Sequence, residues 1–242
     1  MTKPLEGKVI LVTGASGAIG KESALRLADQ GATIILMGRK EEKLNPIYDI
    51  IVNRGGAEPA IVEMDFLKVK DEDFYNLAQN LGAEFGRLDG IVHSAINLGY
   101  LTPLAHSSPE KWHHGLQITL NAPYFLTHAM LPLLDQSDRA SVIFFDHNEV
   151  ATGDKAYWGS YAIAKAGLST MMKIFALENE SEGKIAFNAI DPVCINSSLR
   201  MSAMPEGSPD AKELRDVINL VWKLNDPAEP FVTGTTLTVN NA

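Results

Sequence analysis

The chain has 242 residues and a single cysteine, Cys194. No disulfide can form within it, and a chain of this length needs no such staple, since folding can bury roughly 70–75% of its unfolded surface. Apolar runs are short, and none approaches the ~18 residues that a membrane helix requires. Basic residues are scarce: 21 Lys and Arg stand against 30 Asp and Glu, for a net charge of −9. That shortage argues against a nucleic-acid partner, because binding a polyphosphate needs a basic footprint. It leaves room for a local basic pocket that takes one cofactor phosphate. The opening residues, Met1 to Lys8, carry no long apolar core and no cleavage-like ending, so no signal peptide is expected. With the lone cysteine, this suits a cytoplasmic protein. Of the histidines at 93, 106, 113, 114, 128 and 147, no two form a helical i, i+4 pair with a carboxylate, so no metal site is expected. Repeats, linkers and low-complexity stretches are also missing.

What is present is a regular alternation. Short apolar runs suited to buried parallel strands fall at 9–12, 33–37, 60–64, 90–93, 141–145, 185–190 and 235–239. Between them lie amphipathic stretches near 19–30, 41–53, 71–82, 109–134 and 159–179. This order predicts one α/β domain over 1–242, a doubly wound parallel sheet of Rossmann-like form with helices on both faces. In such a sheet a ligand binds outside the carboxyl ends of the strands.

The first strand runs straight into Thr13-Gly14-Ala15-Ser16-Gly17-Ala18-Ile19-Gly20. Glycines there let the backbone turn sharply and approach a pyrophosphate, while the helix that follows offers free N–H groups. A tight turn with no ligand is the alternative. At the end of the second strand, Gly38 is followed by Arg39 and Lys40, where NAD enzymes place an acidic residue for the ribose hydroxyls. No carboxylate would repel a 2′-phosphate and a guanidinium can clamp it, so NADP is expected in preference to NAD. Alternatively, Arg39 and Lys40 begin a solvated helix face. Asp65, after the third strand, is a candidate acceptor for the adenine amino group or an N-cap.

Tyr161 and Lys165 stand four residues apart, about one helical turn, so both side chains leave the same face. An ammonium beside a phenol favours the phenolate. Bringing a tyrosine from about 10 to within reach of neutral pH takes roughly 3–4 kcal/mol. A glycine turn for a dinucleotide and a phenol ready to move a proton together describe hydride transfer.

These motifs, with Arg87-Leu88-Asp89-Gly90, Leu131-Pro132 and Val232-Thr233-Gly234, resemble the short-chain dehydrogenase/reductase family over nearly the whole chain. The resemblance implies an oxidoreductase acting on a small carbonyl or alcohol. Tyr161 would be its proton donor or acceptor, and Lys165 would lower the tyrosine pKa and hold the nicotinamide ribose. It implies cofactor contacts at Gly14, Ser16, Gly17, Ala18, Ile19 and Gly20, then at Arg39, Asp65, Phe66 and Ala95. Further contacts would come from Val193, Ile195 and Ser197 beside Tyr161 and Lys165. It also implies a substrate lid near 195–228, with Leu199, Met201 and Met204 in it, and a homodimer or homotetramer built on the two long helices.

The departures from the family pattern are specific. Asn148 occupies the position thirteen residues before Tyr161, where a serine is usual; its amide can orient a carbonyl but cannot relay a proton as a hydroxyl does. Thr119 stands where the family's helical asparagine is expected. Ile96 replaces a glycine in His93-Ser94-Ala95-Ile96, Val193 replaces the glycine after Pro192, and the chain ends Asn240-Asn241-Ala242. Asn148 and Thr119 are therefore named with Tyr161 and Lys165 as catalytic candidates. A weakly active or inactive NADP-binding protein is the alternative function. His147 is expected to be a strand-end residue lining the pocket, Cys194 a small packing residue, and Asp89 a structural one. An enoyl-reductase likeness in Val92-His93-Ser94 is opposed by Trp158, which lies seven residues before Lys165 where that branch has tyrosine.

Overall fold

The computed structural model describes residues 3–181, 183–197, 200, 201, 206 and 211–239. Leu199, Met204 and the terminal Asn240-Asn241-Ala242 lie outside the described residues.

The strands are β1 (Val9–Thr13), β2 (Thr33–Gly38), β3 (Ala60–Glu63), β4 (Gly90–His93), β5 (Ala140–Phe145), β6 (Ile185–Asp191) and β7 (Thr236–Thr238). They form one sheet in the order β3-β2-β1-β4-β5-β6-β7, and every pairing is parallel. Strand side chains alternate between faces. Val9 and Leu11 therefore join one apolar core, while Ile10 and Val12 join the other.

The first core is covered by α3 (Asp71–Phe85), α5 (Ala122–Leu134) and α7 (Gly159–Glu178), through Phe74, Leu126, Leu168 and Phe175. The second is covered by α1 (Ala18–Asp29) and α2 (Asn45–Asn53), through Ala24, Leu27 and Ile47. α4 (Pro109–Leu116) and the short α6 (Asn148–Ala151) lie at the strand tips, and α8 (Leu214–Asn225) packs on α1.

Two elements differ from the sequence expectation. Residues 214–225 fall in the span assigned to a lid, yet they form α8. Val217, Leu220, Val221 and Leu224 recur at helical spacing and are buried in the second core, so this stretch is part of the scaffold. The predicted helix 109–134 is broken. α4 passes into a π turn, Gln117–Asn121, before α5 begins. Pro123 lacks an N–H, which leaves the Thr119 carbonyl without its usual i+4 donor and lets the backbone widen.

At the amino ends of β1 and β4, Asp89 is almost fully buried. Its carboxylate accepts from Lys8 Nζ at 2.9 Å, the Val9 N–H at 2.9 Å, Arg87 Nε at 3.1 Å and Ser137 Oγ at 2.6 Å. The structural role expected for it is a knot joining both strands to the loop before β5. Among the described residues no helix is long and apolar enough to cross a membrane.

Candidate active site

The sheet reverses its winding between β1 and β4, and a cavity of about 670 Å³ opens there at the strand tips. Its floor is the β1–α1 turn: Gly14, Ser16, Gly17, Ala18, Ile19 and Gly20. Gly14 holds φ +62°, and a Cβ there would lie 2.8 Å from Ala95 Cα. A Cβ at Gly20 would lie 2.5 Å from Ser94 Oγ. Both positions therefore demand glycine, and the close approach leaves a cradle of bare backbone. α1 begins above it with no side-chain cap and no acidic residue in its first turn. Its N-terminal N–H groups and dipole face the cavity with nothing anionic beside them, which fits a pyrophosphate.

One end of the cavity is formed by Met37, Gly38 and Arg39, with Met64, Phe66 and Leu67 opposite. Arg39 is exposed, whereas Lys40 is paired with Glu42 at 3.4 Å. Lys40 thus belongs to the solvated face and Arg39 to the wall. Asp65 is not on that wall. Its carboxylate accepts from the Leu67 N–H at 3.1 Å and pairs with Lys68 at 3.6 Å, closing a turn. Of the two readings of Asp65, the structure favours a local capping role, although the helix it was expected to cap begins later, at Asp71.

At the other end stand Ser94, Ala95, Ile96 and Asn97, then Ile195 and Ser197. Thr13 Oγ1 accepts from the Ala95 N–H at 3.2 Å, which fastens this loop to β1. His114 and Ile118 complete the wall. Neither was named from the sequence. They lie one helical turn apart on α4 and the π turn, and that shared face was the signal available. Val193, expected on the wall, is set back from it and takes φ +58°. Its N–H donates to Asp191 Oδ1 at 2.8 Å, which holds the strained turn. Left-handed backbone at a β-branched residue costs about 1–3 kcal/mol. Val193→Gly is therefore expected to raise the unfolding free energy by about 1 kcal/mol after the extra chain entropy of glycine is subtracted, as read by urea denaturation.

Of the catalytic candidates, Tyr161 packs near Ile96. The Ile96 side chain lines the cavity and also packs on a buried cluster of Val150, Trp158 and Tyr161. Tyr161 is only 6% exposed and does not itself reach the cavity wall. Lys165 lies on the same face of α7, as the spacing predicts, with Nζ 5.5 Å from the Tyr161 ring centroid. Its amine donates to the Phe145 carbonyl at the end of β5.

The expected lowering of the tyrosine pKa is not met. Burial pushes Tyr161 above its usual 10, Asp146 and Asp191 add to that rise, and Arg200 opposes it. Burial likewise pushes Lys165 down to about 8, against the pull of Asp146 and Asp191. Dehydration of both groups, beside two buried carboxylates, outweighs the attraction of ammonium for phenolate.

Asn148 is exposed at the start of α6. Its N–H donates to Asp191 Oδ2 at 2.9 Å, so backbone rather than amide ties it to the site. The preceding residue points inward instead. His147 Nδ1 lies 3.4 Å from the Tyr161 hydroxyl, and its ring meets those of Trp158 and Tyr161 edge-on. His147, expected as a strand-end residue lining the pocket, follows shortly after β5 but is not among the residues that line the cavity, and it makes this polar contact instead. Thr119, on the π turn, is buried, and its Oγ1 accepts from the Asn97 N–H at 3.1 Å. It ties down the loop that carries Ile96. Ser197 Oγ accepts from the Arg200 N–H at 3.3 Å.

A family model for short chain dehydrogenases matches residues 8–207. Over 224 residues the chain is 37% identical to the uncharacterized oxidoreductase YciK of Escherichia coli K12, covering 92% of this chain and 88% of that protein. A short chain dehydrogenase of Shigella flexneri 2a, solved in complex with NADP, superposes with a TM-score of 0.92 at 35% identity, covering 99% of this chain and all of that one. Another from Escherichia coli CFT073, solved with NADPH, gives 0.91 at 36% identity, covering 99% of each chain.

Proposed function

The chain belongs to the short-chain dehydrogenase family, and from that premise we propose that it is an NADPH-dependent oxidoreductase acting on a carbonyl or alcohol. The observation that carries this reading is the cavity of about 670 Å³, which runs from Arg39 across the glycine cradle to Ile96. Two similar proteins have been solved with NADP or NADPH. The dinucleotide, when bound, supplies or accepts the hydride.

The chain's own residues do the rest. Backbone from Gly14 to Gly20 would bind the pyrophosphate, and Arg39 the 2′-phosphate. Phe66, Ala95, Ile195 and Ser197 would border the remaining length. Tyr161 would pass a proton to or from the substrate oxygen. Lys165, held charged by Asp146 and Asp191, would supply positive potential beside it. Ile96, which lines the cavity and packs on the cluster that holds Tyr161, would turn aside for substrate to meet the phenol. The lid is confined in this proposal to the segment between β6 and α8. The same proposal includes a cytoplasmic setting and a homodimer or homotetramer across α5 and α7, where Tyr124, Ile163 and Ile174 are exposed.

A second reading, a weakly active NADP-binding protein, is favoured by the burial of Tyr161 and the exposure of Asn148. NADPH fluorescence titration together with a panel of small ketones and quinones separates the two. Binding with turnover supports the enzyme, binding alone supports the second reading, and failure of both NADPH and NADH to bind at millimolar concentration removes both. A charged hydrogen bond is worth about 1.5–3 kcal/mol. Arg39→Ala is therefore expected to weaken NADPH binding by roughly 10–100-fold while leaving NADH binding unchanged, as read by the same titration.

A further inference from the structure

Resting on the oxidoreductase reading, we propose that His147 is a catalytic residue, the proton carrier that links the Tyr161 hydroxyl to solvent. Among the described residues, His147 Nδ1 is the recorded hydrogen-bond partner of that hydroxyl, at 3.4 Å. This is long for a hydrogen bond, as catalytic contacts often are before substrate arrives. The amine of Lys165 donates to the Phe145 carbonyl, and the Thr119 hydroxyl accepts from the Asn97 N–H. Asn148 is exposed, and its amide cannot relay a proton. The imidazole is the titratable side chain that the phenol oxygen meets within hydrogen-bond range.

The ring is held in place. Its centroid lies 5.4 Å from that of Trp158, at an interplanar angle of 86°, and 5.9 Å from that of Tyr161, at 74°. Its own backbone N–H is fixed by Asp146 Oδ1 at 2.7 Å. The charged groups acting on it come from every side: Asp191 on β6, Lys165 on α7, Arg200 beyond β6 and Glu149 on α6. Burial is the strongest influence and keeps the imidazole neutral. A neutral ring has one N–H and one free lone pair, the combination a shuttle needs.

In the reducing direction, with NADPH as reductant, the substrate carbonyl carbon takes the hydride. The Tyr161 O–H bond breaks as the substrate O–H bond forms. His147 Nδ1–H then returns a proton to the Tyr161 oxygen while Nε2 gains one from water, leaving hydroxide, and exchange of the ring protons with solvent restores the Nδ1–H tautomer before the next turnover. The sum is one hydride and one solvent proton added to the carbonyl, and oxidation runs the same steps backward.

His147→Phe keeps an aromatic ring in the cluster and removes both nitrogens. It is expected to lower kcat by roughly 10²–10⁴-fold with KM and NADPH affinity unchanged. His147→Ala is expected to regain activity as free imidazole is added. In the cofactor-free protein, Tyr161→Phe is expected to move the midpoint of the His147 imidazole signal in an NMR titration, a readout independent of turnover. A drop in kcat of less than about tenfold in a folded His147→Phe, no rescue by imidazole, or an unmoved imidazole midpoint each overturns the proposal. Should Tyr161→Phe also leave turnover intact, the oxidoreductase reading itself has failed. If Tyr161→Phe is dead and His147→Phe active, only the role of His147 falls.

Discussion

Tyr161→Phe is expected to lower the rate of NADPH-dependent carbonyl reduction by roughly 10²–10⁴-fold, the usual worth of a positioned proton donor. The substitution removes one oxygen from a side chain that is 6% exposed and packed against Trp158 and Val150. The ring keeps its shape and its neighbours, so the fold should hold. Tyr161 is not among the residues that line the cavity, so NADPH affinity should be unchanged. A phenol whose pKa burial has raised is a poor base but a competent donor once hydride has placed charge on the substrate oxygen. Oxidation crosses the same transition state, so its kcat/KM should fall by the same factor. Parallel kinetics and NADPH titration on the wild type and the variant check this. Equal rates in the two proteins would rule out Tyr161 as the proton source.

Asp89→Ala is expected to cost about 2–4 kcal/mol of unfolding free energy, measured by urea denaturation at neutral pH. The loss divides unequally among the four donors. Lys8 and Arg87 are partly exposed and regain water, so their share is small. The Val9 N–H and the Ser137 hydroxyl are buried and would lose their acceptor, and they carry most of the cost. Burial alone would raise the Asp89 pKa, but hydrogen bonds from Ser137, the Val9 N–H and Lys8 overcome it and hold the value below the ordinary 3.8. The unfolded chain then binds the proton more readily than the folded one. The contribution is complete above the unfolded pKa and is lost as pH falls through the folded value. The variant should accordingly show a shallower loss of stability on acidification. A midpoint equal to wild type at neutral pH would refute the knot.

The strand set was legible because seven short apolar runs sit at the spacing of a parallel sheet, and the structure keeps all seven in one sheet. The glycine cradle was legible for a related reason. The turn after β1 has a backbone conformation and a close contact with Ala95 that only glycine satisfies, and such demands leave a fixed residue type behind. α8 carried a readable helical period in Val217, Leu220, Val221 and Leu224, but the span was read as a lid. The π turn was less legible, because it depends on Pro123 within an otherwise continuous helical pattern.

The catalytic cluster divides along the same line. Local spacing sufficed to put Tyr161 and Lys165 on one face of one helix, because a helical turn relates residues four apart whatever surrounds them. It also located the cradle, the basic residue at the end of β2 and the family. The tertiary structure decided the environment of that face: that β5 leads into the buried carboxylate Asp146 and β6 ends in Asp191, that His147 is buried against Tyr161 while Asn148 is exposed, and that Ile96 both lines the cavity and packs on the cluster that holds the phenol. Those facts join residues from distant parts of the chain. The pKa of a buried group follows from the dehydration and charges around it, which no spacing along one helix encodes.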